Sequence, residues 1–243
     1  MKKILIALCF AFSATAVAQA PQQEIPKSAD IKFDKSAASY AIGYRMGLQA
    51  AGREGSDFEL DIEQAVKGLR EAATKKDPSV SKELMTTEYT KYQQKLQLFQ
   101  REEFMALADK NQKRSDAFLA QNRGKTGIKE LASGIQYRVI EAGSGKNASL
   151  DNTVTIHYSG KLIGTEVFDN YQEFDSTYKN GQPLEMNMEQ VGMPGWREII
   201  PMMKKGDKWQ VFLPPEMAYG VQGQNPIGPN EVLVFDVHLL EIK

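Results

Sequence analysis

The sequence predicts an α+β chain of 243 residues. An all-α N-terminal arm with a long connecting helix precedes an antiparallel twisted β-sheet wrapped on one short helix. Two observations predict this class. Apolar residues recur at helical spacing up to Gly127, and beyond it they alternate with polar residues as in strands. The stretch 81–122 also contains neither proline nor glycine, which favours one uninterrupted helix.

The first residues have the composition of a secretory signal peptide. Two lysines precede an apolar run over residues 4–12, and small residues follow that run. Such a segment is too short to span a bilayer as a stable anchor. We expect cleavage after Ala18, because cleavage two residues later would leave Pro21 as the new N-terminus. We therefore predict a signal peptide over 1–18 and export of the chain. The periplasm is the expected location, and association with the outer membrane or secretion are the alternatives.

Composition and charge exclude several functions. Cys9 is the only cysteine and lies in the predicted signal, so we expect a mature chain without disulfides, thiolate catalysis or cysteine-ligated metals. A formal net charge of −1 leaves no basic face for nucleic acid. We expect no other segment to be apolar and long enough for a transmembrane anchor.

The arm is predicted to contain two short helices after a linker. Residues 19–33 are polar, contain two prolines and predict the linker. Phe58 to Ala73 predicts the second helix, because apolar residues recur there at i, i+3, i+4 and i+7. The first helix begins near Asp34, and small residues lie between its large apolar ones, which are Tyr40, Ile42, Tyr44, Met46 and Leu48.

The third predicted helix, over residues 81–122, would be roughly 60 Å long at 1.5 Å per residue. A polar helix of this length is rarely stable alone, and it usually bridges domains or pairs with a partner. The alternative is a shorter, broken helix packed on its own domain. The long apolar stripe favours pairing, so we predict a homodimer built by residues 34–127.

The remaining residues, 128–243, predict one α+β domain with a core over 151–243. A short helix fits residues 195–204. Four segments alternate apolar and polar residues, and their apolar members are Ile135, Tyr137 and Val139; Val154, Ile156 and Tyr158; Trp209, Val211 and Leu213; and Leu233, Phe235, Val237 and Leu239.

Six segments of this domain carry a resemblance to a known family: residues 133–137, 156–160, 174–177, 194–196, 214–220 and 233–237. In their order and spacing they resemble the FKBP-type peptidyl-prolyl cis/trans isomerases. The arm is similar to that of the exported macrophage-infectivity-potentiator class, in its Ser-Tyr-Ala-Ile-Gly-Tyr pattern and its long helix. That class builds a V-shaped homodimer.

The resemblance implies an apolar bowl that binds proline and uses no metal or other cofactor. Its catalytic residues would be Asp175, Tyr219, Phe174 and Trp196, with Trp196 as the floor and a polar rim of Asp175 and Tyr219. It implies folding polypeptides with X-Pro bonds as substrates, and macrolides as inhibitors. The substrate-binding residues would be Tyr158, Phe174, Leu184, Met193, Trp196, Tyr219, Ile227 and Phe235.

The sequence departs from the family pattern at several positions. The stretch 164–173 is longer than usual and contains a second Phe-Asp pair at 168–169, although only the later pair precedes Ser-Thr. One residue is inserted before Gly195. The resemblance implies that the backbone N–H of Met193 donates to a ligand carbonyl, but Met193 replaces a usual β-branched residue, which leaves this role open. Leu184 stands where the family often has an aromatic residue in the pocket wall. Gly228 stands where the family usually has a proline. These departures suggest altered substrate preference and lower drug affinity.

Other functions find less support in the residues. His157 and His238 are predicted to be exposed on the polar face of their strands and form no metal site. A dimeric holdase chaperone with a weak or vestigial isomerase pocket is the main alternative, and both roles can coexist in one chain. A purely structural spacer would leave the pocket residues unexplained.

Overall fold

The computed structural model describes residues 32–50, 60–165 and 167–243. The predicted signal peptide and nearly all of the predicted linker lie outside these residues. The chain divides into two compact units, with the boundary between Val80 and Ser81. The long helix therefore groups with the sheet, whereas the sequence-based division assigned it to the arm.

The first unit contains helix α1, Lys35–Ala50, and helix α2, Ile62–Ala73. Helix α2 begins where the side chain of Asp61 accepts a hydrogen bond from the Gln64 N–H at 3.0 Å, which caps its first turn. The predicted start at Phe58 lies outside the described residues. The large apolar residues of α1 are exposed, from 46% at Met46 to 74% at Tyr40.

Helix α3, Lys82–Arg123, is a single helix of 42 residues, as the sequence predicts. Ser81 caps its start and Gly124 its end. Only its C-terminal half is buried, along one face at spacings of three and four residues. That face consists of Ala108, Asn111, Ser115, Phe118 and Asn122.

A seven-stranded antiparallel sheet follows in the strand order β1-β2-β6-β7-β3-β4, with β5 beside β4 along the same edge of β3. The four predicted strands are confirmed as β2, β3, β6 and β7, whereas β1, β4 and β5 were not predicted individually. The strands are β1 Lys129–Glu130, β2 Gln136–Glu141, β3 Thr153–Leu162, β4 Gln172–Ser176, β5 Leu184–Asn187, β6 Lys208–Leu213 and β7 Leu233–Ile242.

The sheet buries both faces because side chains alternate along each strand. One face packs against helix α4, Pro194–Ile199, and forms the main core. The opposite face packs against Phe118 of α3 through Ile163, Phe212, Val232 and Val234.

Helix α4 is shorter than the predicted helix over 195–204. It ends at Ile199 and continues as a 3₁₀ turn, Ile200–Met202. Pro201 lies in this turn and has no N–H to donate, so the α-helical hydrogen bonds cannot continue through it.

The predicted exposure of the two histidines is wrong. His157 and His238 lie directly opposite each other on β3 and β7, and both are half-buried. The His157 Nδ1 lies 2.9 Å from the Thr177 Oγ1, and its ring stacks on Tyr178. Burial lowers the pKa of His238, and the neighbouring Lys208 adds to this effect.

Candidate active site

A cavity of about 410 Å³ opens beside α4, within the usual size range of ligand pockets. Strands β3, β4, β5 and β7 and helix α4 all contribute side chains to it. The lining residues are Tyr158, Phe174, Asp175, Met186, Asn187, Gln190, Val191, Gly192, Met193, Trp196, Tyr219 and Phe235.

Four aromatic rings form an edge-to-face cluster along this cavity. Trp196 lies 5.2 Å from Phe235 and 5.3 Å from Tyr158 between ring centroids, with interplanar angles above 80°. Phe174 meets Phe235 at 6.0 Å and 85°. This geometry favours the contact of ring edges with ring faces and holds each ring in place. Trp196 and Phe235 are 7% and 3% exposed, so the base of the cavity is rigid and apolar.

Gly160 makes room for this cluster on β3. A Cβ atom at that position would lie 2.7 Å from the Phe174 ring and 2.8 Å from the Phe235 ring. Gly195 serves α4 in the same way, because a Cβ there would lie 2.6 Å from the Leu213 side chain. Gly160 therefore allows the two rings to approach β3, and Gly195 allows α4 to approach Leu213.

The polar rim of the cavity is built around Asp175. The Tyr158 hydroxyl donates a hydrogen bond to the Asp175 carboxylate, whose other oxygen accepts one from the Ser176 N–H at 2.8 Å. Burial, followed by this carboxylate, raises the pKa of Tyr158. Burial and the charge of Asp175 also raise the pKa of Tyr219. Both phenols therefore remain protonated and can donate hydrogen bonds at neutral pH.

The two Phe-Asp pairs lie in different places. Phe174 and Asp175 line the cavity. Phe168 instead packs edge-on against Phe118 of α3 at 5.8 Å, and Asp169 pairs with Lys125 at 2.7 Å. The longer stretch 164–173 thus contacts the helix.

Two of the predicted substrate-binding residues do not line the cavity. Leu184 lies on β5 opposite Ile156 and is 37% exposed, and Met186, two residues further along the same face, lines the cavity instead. Ile227 is 7% exposed and packs within the core. The other predicted residues, Tyr158, Phe174, Asp175, Met193, Trp196, Tyr219 and Phe235, all line it.

One wall of the cavity was missed by the sequence reasoning. Asn187 begins the turn between β5 and α4, and its side chain accepts a hydrogen bond from the Glu189 N–H at 2.9 Å. Arg197 of α4 donates to the Glu189 carbonyl at 2.9 Å and ties this turn to the helix. Only the asparagine, a common turn-forming residue, marks this wall in the sequence. The wall comprises Met186, Asn187, Gln190, Val191 and Gly192.

Among residues 32–50, 60–165 and 167–243, no three His, Cys, Asp or Glu side chains group so that they could hold a metal ion. No helix in this described part of the chain has both the length and the apolar composition needed to cross a membrane.

The fold and the cavity define a class of protein. An aromatic cavity with a carboxylate and tyrosine rim lies on an antiparallel sheet that wraps one short helix. This is the arrangement that the resemblance to prolyl isomerases implied.

Comparisons with known proteins agree with this class. Residues 144–240 match the family model described as FKBP-type peptidyl-prolyl cis-trans isomerase. Residues 35–139 match the domain described as amino terminal to FKBP-type peptidyl-prolyl isomerase.

Individual relatives extend over both parts of the chain. The outer membrane protein MIP of Legionella longbeachae is 37% identical over 86% of this chain and 86% of its own. The peptidyl-prolyl cis-trans isomerase Mip of Coxiella burnetii is 35% identical over 88% and 89%. The crystal structure of FkpA from Escherichia coli matches with a TM-score of 0.68 at 30% identity, over 86% of this chain and 94% of that one.

The chain belongs to the FKBP-type peptidyl-prolyl cis-trans isomerases. Its activity is therefore the cis/trans isomerisation of X-Pro bonds in polypeptides. A holdase with a vestigial pocket is not favoured, since relatives that match along most of the chain are isomerases.

Proposed function

We propose that this isomerase is exported and assists the folding of exported polypeptides, and that catalysis takes place in the aromatic cavity between Trp196 and Tyr219. The observation that carries the proposal is the rigid edge-to-face cluster beside the Tyr158–Asp175 rim. The signal-like segment over 1–18 supports export, as does the similarity to the outer membrane protein MIP of Legionella longbeachae.

The chemistry required is the rotation of a prolyl amide. Amide resonance sets the rotation barrier at about 18–20 kcal/mol, and the resonance is lost in the twisted state. A site lowers this barrier by removing water from the amide and by fitting the twisted form better than either planar form. Each 1.4 kcal/mol of preferential fit gives about a tenfold rate increase.

In this proposal the apolar base and the rim have separate tasks. The proline ring lies on Trp196, where the surrounding rings exclude water. Tyr219 donates its O–H to a substrate carbonyl, and the Asp175 carboxylate attracts the electropositive carbon of the rotating carbonyl. Tyr158 fixes the orientation of that carboxylate through its own hydroxyl. The chain needs no nucleophile or general base for this reaction.

A macrolide inhibitor of the family would compete for the same cavity. Leu184 lies outside the lining, and the wall of Met186, Asn187, Gln190, Val191 and Gly192 contains no aromatic ring. We therefore propose weaker macrolide binding than a wall with an aromatic residue would allow.

The arm supports a homodimer. Five large apolar side chains of α1 are exposed, and those of α2 are also uncovered, at 60% for Ile62 and 46% for Leu69. Exposed apolar surface on this scale is typical of a protein interface. A second copy of the arm would cover it, and the paired arms would hold folding clients.

Matched tyrosine substitutions test the role of the rim. Tyr219→Phe removes one hydroxyl from the cavity, and we expect kcat/KM on a short proline peptide to fall about three- to tenfold, the cost of one lost hydrogen bond. The control is Tyr178→Phe, which removes a hydroxyl from a ring that stacks on His157 outside the cavity. Equal rates for wild type and Tyr219→Phe would contradict the proposed role of the hydroxyl.

A further inference from the structure

Ser115 of α3 holds the loop that follows Tyr219. Its side chain is fully buried, and its hydroxyl forms two hydrogen bonds to that loop. It donates to the Asn230 carbonyl at 2.9 Å and accepts from the Val232 N–H at 2.9 Å. In return, the Asn230 side chain donates to the Ala108 carbonyl of α3 at 3.3 Å.

Two neighbours of Ser115 hold the same loop. Asn111 is 3% exposed and donates to the Pro229 carbonyl at 2.8 Å. Arg114 forms a largely buried ion pair with Glu231. Each residue from 229 to 232 is therefore bound by a polar side chain or carbonyl of α3. Gly228 fits this arrangement, because a Cβ there would lie 3.2 Å from the Asn111 side-chain nitrogen.

The held segment is linked to Tyr219 by one further hydrogen bond. The Asn230 N–H donates to the Gly220 carbonyl at 2.9 Å, and Gly220 directly follows Tyr219. Asn230 and Gly220 both have left-handed backbones, with φ of +52° and +57°. A non-glycine residue in this region costs energy and persists where the surroundings hold it. The bonds from α3 supply that constraint at Asn230.

We propose that Ser115 and Asn111 are positioning residues of the isomerase site. They act through the segment 229–232 and Gly220 to fix the ring of Tyr219 at the cavity. This inference rests on the proposed role of Tyr219. It makes the C-terminal half of α3 a part of the catalytic domain that controls the polar rim from the far side of the sheet.

A double-mutant cycle tests this coupling. Ser115→Ala leaves the Val232 N–H and the Asn230 carbonyl buried without their partner, which loosens the loop. We expect kcat/KM on a proline peptide to fall about three- to tenfold in the full chain. In the Tyr219→Phe background we expect the same substitution to cost less than about twofold, because coupled residues are not additive. Urea unfolding first establishes that each variant is folded under the assay conditions.

A control variant and a substitute variant complete the test. Lys113→Ala on the exposed face of α3, where Lys113 pairs with Asp109, should leave kcat/KM unchanged. If Ser115→Ala does not fold, Asn111→Ala takes its place in the same cycle. The inference would be overturned if Ser115→Ala lowered kcat/KM by the same factor in both backgrounds, or did not lower it when Tyr219 is present. A Tyr219→Phe chain with wild-type activity would instead overturn the proposed role of the hydroxyl, and this inference would fall with it.

Discussion

At the scale of single residues, Gly160 shows how the cavity depends on a missing side chain. A Cβ atom at this position would lie 2.7 Å from the Phe174 ring and 2.8 Å from the Phe235 ring, which excludes any side chain. The sequence marks Gly160 only as part of a family motif, because its role depends on two rings that lie on other strands.

Gly160→Ala should therefore damage both the cavity and the fold. We expect the rings to move apart, kcat/KM on a proline peptide to fall about tenfold, and the free energy of unfolding to fall by about 1–3 kcal/mol. Peptide isomerisation and urea unfolding measure the two effects. Gly68→Ala, at a helical position with open space around it, is the control. A Gly160→Ala chain with wild-type kcat/KM would contradict this account of the cavity.

The tyrosines of the rim predict the alkaline behaviour. Burial and the nearby Asp175 raise the pKa of Tyr158 and Tyr219 above the ordinary value of 10.0. The folded chain thus retains protons that the unfolded chain releases. We expect the free energy of unfolding to decline as the pH rises above about 10, and kcat/KM to stay level between about pH 7 and 9. A pH–rate profile and urea unfolding check this, and a tyrosine ionisation below pH 9 would contradict it.

At the scale of elements, helix α3 shows what could and could not be predicted from sequence. Its ends were predicted to within a residue, because residues 81–122 contain neither proline nor glycine and Gly124 follows them. Its docking face was not predicted, since that face includes Asn111, Ser115 and Asn122. A periodicity argument assigns such polar side chains to solvent. Only the fold shows that each of them meets a hydrogen-bond partner on the isomerase domain.

Among the strands, too, those with a local sequence pattern were predicted and those without one were not. Strands β3, β6 and β7 were recognised by the alternation of apolar and polar residues in the sequence, although β6 is buried at every position after Lys208. Strand β5 has four residues and is mostly exposed, so it lacks a pattern. The cavity wall from Met186 to Gly192 depends on how β5 joins α4, which local sequence does not encode.

Truncation tests whether α3 belongs to the isomerase domain. A chain that begins at Ser81 retains the whole second unit, and we expect it to unfold cooperatively with wild-type peptide activity. A chain that begins at Lys129 lacks Phe118, so Phe168 and Phe212 lose the ring against which they pack. We expect it to lose at least about 3–5 kcal/mol, the usual cost of deleting a buried phenylalanine. Urea unfolding measures both chains, and equal stabilities would show that α3 is dispensable.

At the scale of the whole molecule, the exposed face of α1 predicts self-association. We expect the chain without residues 1–18 to sediment as a dimer at micromolar concentration. Ile42→Asp should shift it toward the monomer, because a charge at an apolar interface is left without a partner. Lys35→Glu, at the start of the same helix, is the control. Peptide isomerisation should be unchanged in the monomer, while acceleration of a slow-refolding protein should fall. A wild-type mass of one chain would contradict the proposed dimer.

The most direct test of the account compares the two Phe-Asp pairs of this chain in peptide isomerisation. Asp175 lies on the cavity rim, whereas Asp169 pairs with Lys125, just beyond the end of α3. The account predicts that Asp175→Leu lowers kcat/KM on a short proline peptide by about tenfold or more, and that Asp169→Leu leaves it near the wild-type value. Equal rates for Asp175→Leu and wild type, or a larger loss for Asp169→Leu, would show that the aromatic cavity with its Asp175 rim is not the catalyst.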